Sequence, residues 1–190
     1  INKLAAEVQP GQIWLKRVVA EMGGKDAIIV DEEADLDAAV EGVAQAAFGF
    51  QGQKCSACSR AIVSEKVYEA FLTKLKPRVE AIRVGEADEY GVYLGPVINA
   101  GAKKKILEYV ATGTKTGRLI TGGAGVAGKD GHFIQPTVIA DVKPGDTIAQ
   151  EEIFGPVLAV IPVKNYDEAL AVANGTEYGL SGGVYTKNPE

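Results

Sequence analysis

Val157 to Val163 reads VLAVIPV, a run with no polar side chain in it. A strand wetted on one face alternates polar and apolar residues, so an unbroken apolar run of this length implies a strand covered on both faces. Ala27 to Val30 (AIIV) and Ala61 to Val63 repeat the pattern more briefly. Helical periods lie between such runs. Leu36, Ala39, Val40, Val43, Ala44 and Ala47 follow an N-cap signal at Asp35, and Val67, Phe71, Leu75 and Val79 recur every fourth residue, with a kink expected at Pro77. Ile106, Leu107 and Val110 mark a helix ended by Gly113, and Tyr166 to Asn174 one stopped by Gly175. Further strands are expected at Trp14–Ala20, Leu119–Ile120, Val138–Ile139 and Gly182–Thr186, and the tail of a helix at Ile1–Val8. Doubly covered strands alternating with amphipathic helices predict an α/β fold, a mostly parallel sheet with flanking helices.

Composition narrows the function classes. A hydrophobic fraction of 46% over 190 residues suffices for a real core and excludes disorder. The net charge of −5 comes from interspersed charges, so neither nucleic acid nor an anionic membrane surface is an expected partner. No apolar run reaches the length of a membrane span. Two cysteines make no disulfide framework, which favours a reducing, cytoplasmic compartment. The chain opens on Ile1 and stops at Asn188-Pro189-Glu190 directly after a strand-like run, so it reads as a segment of a longer one.

Four places carry candidate chemistry. Cys55 sits among small residues in Gly52-Gln53-Lys54-Cys55-Ser56-Ala57-Cys58-Ser59-Arg60, where backbone can approach a substrate and where Lys54 and Arg60 are local cations able to favour a thiolate. A small, inert, buried Cys is the alternative. Cys55 and Cys58 also form C-x-x-C, the spacing of a redox pair or half a zinc site; with one histidine in the chain, His132, a zinc site would need a carboxylate as well, and none is expected. Gly123-Ala124-Gly125-Val126-Ala127-Gly128 fits G-x-G-x-x-G, but a phosphate loop needs a helix N-terminus behind it, and here Asp130-Gly131-His132 and a strand follow, so a flexible connection is expected. In Glu151-Glu152-Ile153-Phe154-Gly155-Pro156, carboxylates beside an aromatic suit ribose hydroxyls and a flat ring, or else form a solvated turn. Glu21, between an apolar stretch and Gly23-Gly24, is either a buried general base with a raised pKa or a surface residue at a strand end.

Taken in order, Glu21-Met22-Gly23-Gly24-Lys25, Gly52-Gln53-Lys54-Cys55 and Glu151-Glu152-Ile153-Phe154-Gly155-Pro156 resemble the general-base, nucleophile and cofactor-side motifs of the aldehyde dehydrogenase superfamily. The resemblance covers essentially the whole chain. Glu21 to Val30, Phe48 to Arg60 and the Pro10-Gly11-Gln12-Ile13-Trp14 approach are most similar to the branch that oxidises glutamate γ-semialdehyde to glutamate with NAD.

The resemblance implies a role for each residue. Cys55 is the nucleophile that forms a thiohemiacetal and then a thioester, and Glu21 activates the water that hydrolyses it. Glu152 binds the nicotinamide-side ribose, Phe154 packs near the nicotinamide, and the Met22 backbone carbonyl accepts from its carboxamide. Ser56 helps bind the substrate carboxylate, and Cys58 is a packed bystander. It further implies that residues 1–21 end an NAD-binding domain and residues 22–190 form most of a catalytic domain. The oxyanion Asn and the substrate-carboxylate anchor loop would lie outside this sequence. The full-length enzyme is expected to be a homo-oligomer acting on a small aldehyde, and the 190 residues alone are expected to be inactive. Two alternatives remain: an aldehyde dehydrogenase of other specificity, and a C-x-x-C redox protein.

Overall fold

The computed structural model describes residues 1–188, so Pro189 and Glu190, part of the expected closing segment, lie outside the described residues. A short helix α1 (Asn2–Ala5) and an extended stretch lead to β1 (Asp26–Val30), α2 (Leu36–Phe48) and β2 (Cys58–Ser64). Then come α3 (Tyr68–Glu80), α4 (Ala100–Gly113), β3 (Arg118–Thr121), β4 (Thr137–Ala140), α5 (Thr147–Gln150), β5 (Val157–Val163), α6 (Tyr166–Asn174) and β6 (Gly182–Tyr185). The strands form one six-stranded sheet in the order β3-β4-β5-β2-β1-β6, parallel except for the β3–β4 pair.

The apolar runs are doubly covered, as their composition demands. In β5, Leu158 and Val160 face a core built with α2 and α3, while Val157, Ala159, Ile161 and Val163 face a second core with α4, α5 and α6. Phe48 and Phe71 are fully buried in the first core and Ile106 and Ile148 almost so in the second. Asp35 caps α2 by accepting from the Asp37 and Ala38 amides at 3.1 and 3.2 Å. Asn99 does the same for α4, accepting from Ala102 at 2.8 Å.

Several expectations need correction. Trp14–Ala20 is not a strand: it is extended and unpaired, with Trp14 81% and Val19 85% exposed, because β-propensity without a partner strand leaves the backbone unpaired. The opening helix is only Asn2–Ala5 rather than Ile1–Val8. Pro77 lies in the last turn of α3, which continues to Glu80. The Gly123–Gly128 segment, by contrast, is the expected connection: it runs between β3 and β4 with no helix behind it, so it lacks the amide cluster that a phosphate loop needs. No helix among the described residues is long and apolar enough to cross a membrane.

Candidate active site

The three motifs occupy equivalent places in the fold. Gly23–Lys25 leads into β1, Gln53–Ala57 into β2 and Glu151–Pro156 into β5. Because β5, β2 and β1 are adjacent and parallel, these three entry loops must converge at the amino ends of the strands. Open α/β sheets more commonly bind ligands at the carboxyl ends, so strand polarity alone would have pointed to the wrong rim.

Glycines make the convergence possible. A Cβ at Gly24 would overlap the Cys55 carbonyl oxygen, and one at Gly52, whose φ is +66°, would overlap the Gly155 carbonyl oxygen. At Gly23 a Cβ would lie 2.7 Å from Glu152 Oε2. The Gly24 amide donates to Glu152 Oε1 at 2.9 Å across 128 residues of sequence. The three motif loops are thus one close-packed assembly, with no room for larger residues at its glycine joints. A cleft between them is lined by Gly24, Gly52, Lys54, Cys58, Glu152 and Phe154.

Cys55, half-buried, and Ser56, exposed, follow Lys54 in the chain and are not among the residues lining that cleft. Cys58 is 3% exposed, its Sγ donates to the Arg60 carbonyl at 3.4 Å, and burial pushes its thiol up to about 12. A thiol so placed suits neither half of an exchanging redox pair. We expect iodoacetamide to alkylate Cys55 well before Cys58, as mapped by peptide mass spectrometry; equal or inverted rates would remove Cys55 as the candidate nucleophile.

Glu152 is half-buried, and Phe154 is 42% exposed with φ +58°. A non-glycine residue in the left-handed region persists only where its surroundings hold it, which is commonest at functional sites. Glu21 is exposed, the second of the two settings open to it from the sequence. Met22 is 71% exposed. Neither side chain makes a hydrogen bond to the other two loops among the described residues, because the stretch before them packs against nothing. Of the implied residues, then, the structure brings the Cys55 backbone and the Glu152 carboxylate together at Gly24, lines one cleft with Glu152 and Phe154, and leaves Glu21, Met22 and Ser56 exposed.

Arg60 also differs from its expected part. Its guanidinium is not aimed at a thiolate; it donates to the carbonyls of Lys25 (2.9 and 2.6 Å), Val172 (2.8 Å) and Ala173 (2.9 Å), tying the base loop to α6. Lys25 was not a candidate, yet it is 1% exposed and its Nζ has no hydrogen-bond partner. Burial, and secondarily Arg60, lowers its pKa to about 7. Its signal in the sequence was the lysine directly after Gly23-Gly24.

The chain is similar to known proteins along nearly its whole length. Residues 2–190 match the aldehyde dehydrogenase family. The chain is 55% identical over 188 residues to the 1-pyrroline-5-carboxylate dehydrogenase of Geobacillus thermodenitrificans, covering 99% of this chain and 36% of that one. It is 53% identical over 188 residues to 1-pyrroline-5-carboxylate dehydrogenase 2 of Bacillus subtilis, with the same coverage. The crystal structure of 1-pyrroline-5-carboxylate dehydrogenase from Thermus with bound NAD superposes with a TM-score of 0.90 at 52% identity, again over 99% of this chain and 36% of that chain. The chain therefore spans about a third of the length of the relatives it matches.

Proposed function

The chain belongs to the aldehyde dehydrogenase family, and we propose that it carries the nucleophile, the general base and part of the cofactor contact of an NAD-dependent enzyme that oxidises glutamate γ-semialdehyde to glutamate. The observation that carries this reading is the meeting of the three motif loops at the amino ends of β1, β2 and β5, locked by the Gly24–Glu152 hydrogen bond. The 53–55% identity to 1-pyrroline-5-carboxylate dehydrogenases supports the substrate.

The Cys55 thiolate attacks the aldehyde carbon and forms a C–S bond, giving a tetrahedral thiohemiacetal. Its oxyanion sits near the Cys55 backbone amide, a fixed donor that costs no reorganisation. NAD, when bound, supplies the acceptor for the hydride that leaves this carbon. Cys55 is then a thioester, and Glu21 removes a proton from the water that attacks it, releasing the carboxylic acid and the thiolate. Exposure gives Glu21 the freedom to reach that water. The loop fits a dinucleotide: the Glu152 carboxylate lies in a cradle that a Cβ at Gly23 would fill, suited to ribose hydroxyls, and the partly exposed Phe154 ring offers a flat apolar face. The Met22 carbonyl would accept from the nicotinamide amide, and Ser56, exposed next to Cys55 in the chain, would bind the substrate carboxylate. Residues 1–21 close an NAD-binding domain and residues 22–190 form most of the catalytic domain. The exposed Ile13, Trp14, Leu15 and Val19 are apolar surface that such a domain would bury. The whole enzyme is a cytoplasmic homo-oligomer, a setting in which free Cys55 and Cys58 remain reduced.

In an enzyme of the relatives' full length carrying this segment, kcat/KM for glutamate γ-semialdehyde is expected to exceed that for propanal by about 100-fold, followed as NADH absorbance, because a site built for a charged group rejects analogues lacking it. A preference for propanal would overturn the substrate, though not the reaction class.

A further inference from the structure

We propose that Tyr109 and Lys105, on the face of α4 packed behind the Glu151–Pro156 loop, are positioning residues for cofactor binding by that loop. The proposal rests on the reading of Glu152 and Phe154 as cofactor contacts.

The residues at 105, 106 and 109 share one face of α4. Tyr109 Oη donates to Glu151 Oε2 at 2.6 Å, and Lys105 Nζ donates to the Glu152 backbone carbonyl at 3.4 Å. The Lys105 ammonium lies 5.7 Å from the centre of the Tyr109 ring, which couples the two side chains. Between them the buried Ile106 fills the space beside Gly155, where a Cβ would come within 2.5 Å of Ile106 Cδ1. The loop is therefore gripped at three points from behind, at the Glu151 carboxylate, the Glu152 carbonyl and Gly155. On its opposite side the Glu152 carboxylate accepts from Gly24.

The grip has something to hold. Phe154 keeps a left-handed backbone at φ +58°, a conformation that relaxes when its supports are removed. The hydrogen bond to Glu151, with some burial, pushes the Tyr109 phenol up to about 12, so the hydroxyl stays protonated and donates throughout the physiological range. Neither residue touches the cleft itself. Their effect runs through the loop that presents Glu152 and Phe154, and so should be felt at the cofactor step.

The test is a double-mutant cycle on the full-length enzyme carrying this segment, read as KM for NAD and as NADH affinity by fluorescence. Tyr109→Phe and Glu151→Ala should each weaken both by about five-fold, the scale of one partly exposed side-chain hydrogen bond. The double variant should be no worse than either alone, since both remove the same tie. Glu151→Gln keeps an acceptor for Tyr109 without the charge and should fall between the parent and Glu151→Ala; a Gln variant as weak as the Ala one would count against the hydrogen bond as the tie. The iodoacetamide reactivity of Cys55 should persist in all of them. Glu152→Gln, run alongside, separates the two claims. If it leaves NAD binding unaltered, the reading of Glu152 fails and takes this proposal with it. If it weakens NAD binding while Tyr109→Phe and Glu151→Ala are neutral or additive, the positioning role alone is overturned. A lowered melting temperature with unchanged NAD affinity would make Tyr109 a structural tie and also overturn it.

Discussion

Replacing Cys55 by alanine in the full-length enzyme is expected to remove aldehyde oxidation, lowering kcat on the order of 10⁴-fold or more, the scale of losing a covalent nucleophile. The loss should come without unfolding, because Cys55 is only half-buried and its backbone, not its side chain, makes the close contact with Gly24. Glu21→Gln should separate the two halves of the reaction. Thioester formation needs only Cys55 and bound cofactor, so stopped-flow absorbance should show close to one equivalent of NADH per active site. Steady turnover should then fall by roughly 10²–10³-fold, since water must attack without its base. A Cys55→Ala variant with substantial turnover would end the assignment of the nucleophile. A Glu21→Gln variant with neither burst nor slowed hydrolysis would place the base elsewhere.

The two residues test different kinds of inference. β5 was legible because Val157–Val163 is apolar throughout, and the structure gives the strand those same bounds. The α2 cap was legible because Asp35 precedes a helical period and its carboxylate has two local amides to accept from. The order of the three motifs was legible too. Their meeting was not, because it depends on β5, β2 and β1 being neighbours, a property of long-range pairing rather than of any window of sequence. The misread places share one cause. Trp14–Ala20 has strand-forming residues but no partner strand. Arg60 was read as a cation for its neighbour in sequence, yet its hydrogen bonds reach Lys25, Val172 and Ala173. Tyr109, 42 residues before Glu151, gave no local sign at all. Local chemistry names candidate groups, and only the packed strands decide which of them meet.

Lys25→Met should stabilise the 190-residue chain, and by an amount that shrinks as pH rises. The Lys25 stem is packed at 1% exposure, which methionine can reproduce, whereas its amine has no hydrogen-bond partner and faces the buried guanidinium of Arg60. Folding lowers the pKa of this amine from 10.5 to about 7, chiefly by burial. The sign follows from which state binds the proton. Between pH 7 and 10.5 the unfolded chain is protonated at Lys25 while the folded chain is mostly not, so folding expels a proton and stability rises with pH. Below pH 7 the full penalty is present, because the folded amine must then carry its charge without a partner. At about 1.4 kcal/mol per pH unit, the advantage of Lys25→Met should fall from on the order of 5 kcal/mol at pH 6 to about 2 at pH 9. Urea unfolding of both chains at pH 6, 7.5 and 9 measures it, and every group the two chains share cancels in the difference. Parallel stability profiles would mean that the amine finds water or a partner in solution. In that case the lysine after Gly23-Gly24 would be an ordinary charged residue, and not one held almost neutral directly beneath the loop that joins Cys55 to Glu152.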